Sequence, residues 1–230
     1  MSCYWLVSPT IPSMVSNSIV EILPWRQPVR KATLTTLVLV VALCCPSTSS
    51  TKDRPLKATT PLSADEVAIY KAVLQQYSSK EAGNLHVSST TYPLNPDSPT
   101  SGLAAPDCLK GIQLENLATV SHSSHDLPPD VLTGNGMALV DPRKQAKIVH
   151  SNDPSNTIRK GKSVENAVAD AFTTALFSMS EIAFDKEHHF GVVSYHFWCG
   201  SLCGNGSTIV FEKINGEWKN ANRNCGGWIS

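Results

Sequence analysis

Cysteine is the residue type whose spacing in this chain points most directly to chemistry. Of the seven cysteines, four lie beyond residue 100: Cys108, Cys199, Cys203 and Cys225. An even number of cysteines is typical of a disulfide framework in an exported chain. Cys199 and Cys203 flank a loop between two predicted strands that is short enough for a bridge. We therefore expect the pairs Cys199–Cys203 and Cys108–Cys225, although four cysteines allow three connectivities.

The same cysteines admit two other interpretations. One is a reducible redox pair at Cys199 and Cys203. Redox pairs usually have two residues between the cysteines at a helix amino terminus, whereas here three residues lie between strands. The other is a tetrahedral zinc site built from Cys199, Cys203, Cys225 and His196. An oxidising compartment disfavours the thiolates that zinc needs, so we expect no metal and no cofactor.

Histidines occur twice at spacings that could serve proton transfer. His122 and His125 lie three residues apart beside Asp126, and His188 precedes His189 between predicted strands. A carboxylate can orient an imidazole for acid–base chemistry. Both segments connect predicted elements, where exposed histidines are common, and the chain has no Gly-x-Ser-x-Gly motif. We expect no catalytic residue; the alternative is an extracytoplasmic hydrolase that uses a serine or histidine of the proline-rich middle.

Three aromatic residues near the carboxy terminus form a candidate ligand platform: Tyr195, Trp198 and Trp228. Aromatic rings beside a disulfide most often pack on it, and Trp198 adjoins Cys199. Exposed rings would instead offer a flat apolar face to a ligand. The burial of these rings distinguishes the two interpretations.

The amino-terminal third has the layout of a secretory signal. Basic residues from Arg26 to Lys31 precede an uncharged run over 32–45, and a polar tract follows. The run has about a dozen apolar residues, and a helix that crosses a bilayer needs roughly 20. We expect membrane attachment only through an uncleaved signal or a lipid on Cys44 or Cys45.

The chain thus divides into three parts. Residues 1–45 are the amino-terminal extension and signal, 46–61 a flexible Ser/Thr/Pro leader, and 62–230 a single α+β domain. The predicted location is outside the cytosol: periplasmic, secreted or associated with the cell envelope.

The charge balance argues against nucleic acid as a partner. Nineteen Lys and Arg equal nineteen Asp and Glu, so no positive field gathers phosphates. We expect a monomer, and the sequence does not specify its ligand.

Two helices stand out. Ser63 and Glu66 have the spacing of a capping box, and the apolar residues that follow predict a helix over about 64–79. Ser163 starts a second helix, whose predicted core face is formed by Val164, Val168, Ala171, Phe172, Ala175 and Leu176. The proline-rich stretch 80–160 is predicted to be rich in loops, with a strand in 85–92 and short elements near 108–117 and 137–140.

Beyond residue 180 the apolar residues alternate with polar ones, as in strands. The pattern predicts strands around 182–185, 193–197 and 208–212, with a fourth at 218–224. In the first of them Ile182 and Phe184 alternate with Glu181 and Asp185. Asn215-Gly216 favours a type I′ hairpin turn, and Gly204-Asn205-Gly206 is interpreted as another turn. The predicted fold is α+β, with two helices packed on a four-stranded antiparallel meander.

Four short motifs follow one another between residues 178 and 230: Ser180-x-Ile182-x-Phe184-Asp185, Cys199-Gly200-x-Leu202-Cys203-Gly204-x-Gly206, Glu212-Lys213-x-x-Gly216-x-Trp218 and Trp228-Ile229-Ser230. Together they resemble the carboxy-terminal pattern of a family of exported bacterial proteins to which no activity is assigned. The resemblance implies an exported β-meander and no catalytic residue. We expect an exported, disulfide-stabilised, non-catalytic domain that binds a ligand or serves the cell envelope.

Overall fold

The structure, a computed structural model, describes residues 56–58, 60–78, 84–98 and 101–230. The expected secretory signal, Cys44 and Cys45, and most of the expected leader lie outside these residues. In the part of the chain that is described, none of the helices has the length and apolar character that a bilayer crossing requires.

The end of the expected leader is held in place by backbone pairing. Strand β1 (Leu56–Lys57) runs parallel to β3 (Ser123–Ser124). The Ala58 amide also donates to the Ser124 carbonyl at 2.8 Å. Backbone groups at this end of the leader thus have a partner in a neighbouring strand.

The first predicted helix is α1 (Ala64–Ser78). Its capping box is present: the Ser63 amide donates to Glu66 Oε2 at 2.6 Å, and the Glu66 amide donates to Ser63 Oγ at 3.2 Å. The residues that follow at helical spacing are buried: Ile69, Tyr70, Val73, Leu74 and Tyr77. Local sequence thus sets both the start of α1 and its core face.

The region predicted to be rich in loops contains two helices that we did not predict, α3 (Pro142–Ser151) and α4 (Pro154–Arg159). Each begins with an aspartate followed by proline. Asp141 and Asp153 cap the free amides of the first turn, and a proline at the first helical position needs no hydrogen-bond donor. The prediction of loops over 80–160 is therefore wrong at these two prolines, which start helices. A third short helix, α2 (Leu117–Val120), precedes them.

The second predicted helix, α5 (Val164–Thr173), is shorter than expected. Ala171 is buried, but Val164 is 62% exposed and Phe172 42% exposed. Leu176, which we had placed on the helix face, begins a strand instead. The apolar spacing was correct for a helix, but only its small alanines face the core.

The helices accompany an eight-stranded mixed sheet. Its strands are β2 (Leu85–Ser88), β4 (Met137–Val140), β5 (Leu176–Met179), β6 (Ala183–Phe184), β7 (Phe190–Gly200), β8 (Cys203–Ile214), β9 (Glu217–Asn220) and β10 (Gly227–Ile229). The main path runs β10-β8-β7-β5-β2-β4, while β6 pairs with β7 and β9 with β8. Strand β2 lies parallel to both β4 and β5, and the other pairs of this sheet are antiparallel.

The fold is α+β, but its sheet differs from the four-stranded antiparallel meander that we expected. Strands β7, β8 and β9 do form consecutive hairpins. The turn at Asn215 and Gly216 has positive φ at both residues, 53° and 84°, as type I′ requires. Strands β9 and β10, however, both pair with the same edge of β8. Strand β2 joins the sheet through parallel pairing. Parallel strands are joined by long connections. The partners of β2 are therefore distant in sequence and cannot be predicted from strands that follow one another.

Two groups of buried residues fill the two sides of the sheet. The larger group includes α1, the Phe177 and Phe197 side chains and the Cys199–Cys203 pair. The smaller one includes Leu94, Val192, Val210 and the Cys108–Cys225 pair. Because side chains alternate along a strand, neighbouring residues of β7 pack into different groups, one on each side of the sheet.

Candidate functional site

A buried carboxylate and an imidazole meet just beyond the end of β5. His125 follows β3, and its Nδ1 lies 2.7 Å from Oε2 of Glu181. The Glu181 side chain is 1% exposed and that of His125 13%. This pair, which we call the His125–Glu181 pair, buries Glu181, a polar position in the alternation of the first predicted strand. It also gives one histidine of the His122–His125 motif a carboxylate partner.

Three further hydrogen-bond donors surround the Glu181 carboxylate. The His125 amide donates to Oε1 at 3.0 Å, the Ser123 hydroxyl to Oε2 at 3.3 Å, and the Thr91 hydroxyl to Oε1. Such a set of donors offsets the cost of burying a carboxylate. The carboxylate in turn fixes the imidazole with its proton on Nδ1. The Nε2 atom, which has no hydrogen-bond partner among the described residues, is the atom that could exchange a proton.

The other histidines of the two motifs are not brought to this pair. His122 is exposed, and its Nδ1 lies 3.1 Å from the Ala118 carbonyl oxygen. His188 stacks on Phe184 with ring centroids 4.5 Å apart, and its Nδ1 is 3.8 Å from Asp65. His189 is exposed. As predicted for loop residues, these side chains lie at the surface.

Asp65 links the start of α1 to the β8–β9 hairpin. It accepts hydrogen bonds from Lys213 Nζ at 2.8 Å and from Trp218 Nε1 at 3.0 Å. Burial raises the pKa of the Asp65 carboxyl, but Lys213 and Trp218 outweigh burial and hold the pKa below its usual value. This contact has a structural role, because every polar group in it is already paired.

A small cavity lies between β7 and the segment that follows β2. It has a volume of about 150 Å³ and is lined by Tyr92, Pro93, Leu94, Asn95, Ser98, Ser101, Ser194 and His196. Tyr92 and His196 stack with their ring centroids 4.8 Å apart. Burial lowers the pKa of the His196 imidazole and raises that of the Tyr92 hydroxyl, so both groups are neutral near pH 7. We call this space the His196 cavity.

The three residues of the candidate aromatic platform do not share one face. Tyr195 stacks on Phe177 at 5.5 Å in the larger core, while Trp228 meets the edge of His196 at 5.6 Å on the other side of the sheet. Trp198 is half-buried. Side chains alternate between the two faces of a strand, so Tyr195 and Trp198, three positions apart, point to opposite faces. Their closeness in sequence did not indicate this separation.

Two glycines of β8 make room for the His196 and Trp228 rings. Gly204 and Gly206 lie inside the strand, in contrast to the turn that we predicted for 204–206. A Cβ at Gly206 would clash with the Trp228 indole and approach His196 Cδ2 to 2.8 Å. Glycine is therefore required here by the packing of two aromatic side chains against the strand.

Both cysteine pairs are joined as the sequence analysis preferred. Cys108 and Cys225 have Cα atoms 4.3 Å apart, and Cys199 and Cys203 have Cα atoms 5.0 Å apart. This pairing leaves no thiolate at Cys199, Cys203 or Cys225 for the alternative zinc site. Among the described residues, no three histidine, cysteine or acidic side chains gather closely enough to hold a metal ion.

Glu181 was not predicted as a site residue. One signal was available for it, because Glu181 is the only charged residue between Asp170 and Asp185. A lone acid in an apolar stretch is more often buried and paired than one in a charged segment.

Comparison of the chain with known protein families, curated proteins and solved structures finds no match. The resemblance of residues 178–230 to exported bacterial proteins therefore stays a prediction.

Proposed function

We propose that this chain is an exported, disulfide-stabilised domain whose role is to bind a ligand or partner. The observation that carries the proposal is the pairing of all four cysteines in the described part of the chain. One disulfide lies in each group of buried residues. Disulfides persist in oxidising compartments and are rare where thiols are kept reduced.

The binding role is supported by the rings on one side of the sheet. His196 and Trp228 are half-buried and contact each other, and His196 also lines a cavity. Half-buried aromatic and imidazole side chains offer both apolar area and polar atoms to a ligand. The predicted secretory signal over residues 26–45 would deliver this surface to the periplasm, the envelope or the medium.

Export and disulfide formation are tested together on the full chain. The protein is expressed in a bacterial host, the cell fractions are separated, and each is alkylated without reductant before mass spectrometry. We expect the protein outside the cytosol, with Cys108, Cys199, Cys203 and Cys225 unalkylated. Substituting Arg26, Arg30 and Lys31 by glutamate is the matched control, and it should retain the protein in the cytosol with alkylated thiols. Wild-type protein in the cytosol with four alkylated thiols would refute the proposal.

A second candidate function is an extracytoplasmic hydrolase, and the 2.7 Å contact between His125 Nδ1 and Glu181 Oε2 favours it. A histidine held by a carboxylate can act as a general base on water through its other nitrogen. The test is a panel of ester, peptide and glycoside substrates with wild type, His125→Ala and His122→Ala. Turnover that only His125→Ala abolishes would establish the hydrolase and contradict the non-catalytic role. No turnover by the folded wild type would dismiss it.

A further inference from the structure

The His196 cavity carries an inference about the chemical class of the ligand, and it rests on the proposed binding role. We infer that this cavity binds a small uncharged ring compound that bears a hydroxyl or a carboxamide group. The charge, the hydrogen-bonding capacity and the size of the cavity support this ligand class.

The lining of the cavity excludes a charged ligand. None of its eight residues has an ionised side chain near pH 7, because His196 is the only titratable group apart from the Tyr92 phenol, and burial keeps both neutral. A charged ligand would lose part of its hydration without gaining a counter-charge, which weakens its binding. A neutral ligand avoids this cost.

Two hydroxyl groups of the cavity, those of Ser101 and Ser194, are already used within the protein. The Thr208 hydroxyl donates to the Ser101 carbonyl. Thr208 therefore accepts from the Ser194 hydroxyl, whose oxygen lies 2.6 Å away. The Ser101 hydroxyl donates to the Ser98 carbonyl at 2.8 Å. None of these protons remains for a ligand.

Two groups remain to recognise a ligand, the His196 imidazole and the Tyr92 hydroxyl. The Tyr92 hydroxyl is buried and has no hydrogen-bond partner among the described residues, whereas buried polar atoms are normally paired. The His196 side chain is half-buried, and no side-chain hydrogen bond is formed by it within the described part of the chain. A neutral imidazole has one donor and one acceptor. A hydroxyl or a carboxamide can donate and accept, and so can satisfy the imidazole in either tautomer.

The size and walls of the cavity favour one ring. A volume of about 150 Å³ accepts a benzene-sized molecule. Pro93 and Leu94 supply apolar walls, and the Tyr92 ring already occupies one face of the imidazole. A single ring therefore fits this space.

The experiment is an NMR titration of the full-length, disulfide-bonded protein with two isosteric pairs of probes. Phenol is compared with toluene, which has the same shape without the hydroxyl, and benzamide with benzoate, which has the same shape with a charge. We expect phenol and benzamide to shift the His196 imidazole signals saturably. Toluene should bind about tenfold more weakly than phenol, the effect of losing one hydrogen bond. Benzoate should bind at least tenfold more weakly than benzamide, because its charge meets no counter-charge in the cavity. Equal binding of phenol and toluene, or no saturable shift with any probe, would overturn the inference.

A pair of variants separates His196 from the rest of the cavity. His196→Phe keeps a ring that can stack on Tyr92 but removes both nitrogens, so phenol should bind about tenfold more weakly while toluene binding is kept. His189→Phe, which changes an exposed histidine in the β6–β7 turn, is the matched control and should bind phenol like wild type. Circular dichroism verifies that each variant is folded. Equal phenol affinity in His196→Phe and wild type would also overturn the inference.

Failure of this inference is distinguishable from failure of the proposed function. If the protein is exported with both disulfides formed but phenol and benzamide do not bind, the cavity assignment alone is wrong. If the protein is cytosolic with free thiols, the export proposal fails whatever the titration of the oxidised protein shows.

Discussion

The carboxylate of Asp153 accepts hydrogen bonds from both the amide and the hydroxyl of Ser201, with the amide nitrogen 2.8 Å from Oδ2. Ser201 lies inside the Cys199–Cys203 loop. The same carboxylate caps α4 through the Ser155 amide at 2.9 Å and the Ser155 hydroxyl at 2.6 Å. One buried side chain therefore joins the start of a helix to a disulfide-closed hairpin 48 positions away.

Replacing this side chain should destabilise the protein. Asp153→Ala removes a helix cap and leaves the Ser201 and Ser155 donors without their buried acceptor, so the free energy of unfolding should fall by about 3 kcal/mol. Asp141→Ala is the matched control, because Asp141 caps α3 in the same way but is exposed. Urea denaturation followed by circular dichroism measures both. A loss no larger for Asp153→Ala than for Asp141→Ala would contradict the role assigned to the buried carboxylate.

The same carboxylate should make stability depend on pH. Burial raises the pKa of Asp153, but hydrogen bonds from Ser155 and Ser201 outweigh burial and hold the pKa well below its usual value. In the unfolded chain the pKa is about 3.9. Between these two values the unfolded state binds more protons, so the stabilisation is complete above about pH 4 and decreases as the pH falls.

We therefore expect the stability difference between wild type and Asp153→Asn to shrink from about pH 6 to about pH 3. Asparagine does not titrate, and so the difference isolates the contribution of Asp153 from that of other carboxylates. Urea denaturation at each pH gives the two free energies. A difference that stays constant over this range would show that the pKa of Asp153 is not lowered by folding.

The two disulfides should contribute unequally. Cys108 and Cys225 are separated by 117 positions, and Cys199 and Cys203 by 4. In the loop-entropy model the long loop stabilises by about 5 kcal/mol and the short one by about 2 kcal/mol. We expect the double alanine variant at Cys108 and Cys225 to unfold at markedly lower urea concentration than the double variant at Cys199 and Cys203. The reverse order would mean that the short bridge acts mainly through native contacts.

The His125–Glu181 pair should be important for stability whatever its chemistry. His125→Ala leaves a buried carboxylate without its imidazole partner and should cost about 3 kcal/mol. His122→Ala, in the same segment but exposed, should change the free energy of unfolding by less than about 0.5 kcal/mol. Adding Glu181→Gln to His125→Ala should recover part of the loss, because the unpaired charge is then removed. Similar small losses for both histidines would show that the pair is not formed.

Much of the local structure follows from residues that are close in sequence. The capping box of Ser63 and Glu66 needs only four residues, and the Asn215-Gly216 turn needs two. Where local analysis was wrong, the signals were present but misinterpreted, as with the prolines after Asp141 and Asp153. The spacing of apolar residues in α5 predicts a helix, but it does not tell which of these residues another part of the fold covers. It therefore did not predict the exposure of Val164 and Phe172.

The sequence by itself determined the ends of α1, the hairpin turn after β8 and the cysteine spacing that suggests a short disulfide loop, because each depends on interactions within a few positions. Only the tertiary structure decided that β2 pairs in parallel on both sides and that Glu181 turns inward to meet His125, 56 positions away. It also decided that Tyr195 and Trp228 occupy opposite sides of the sheet. These arrangements depend on which distant segments pack together to bury apolar area and satisfy polar groups, and no local pattern specifies such partners.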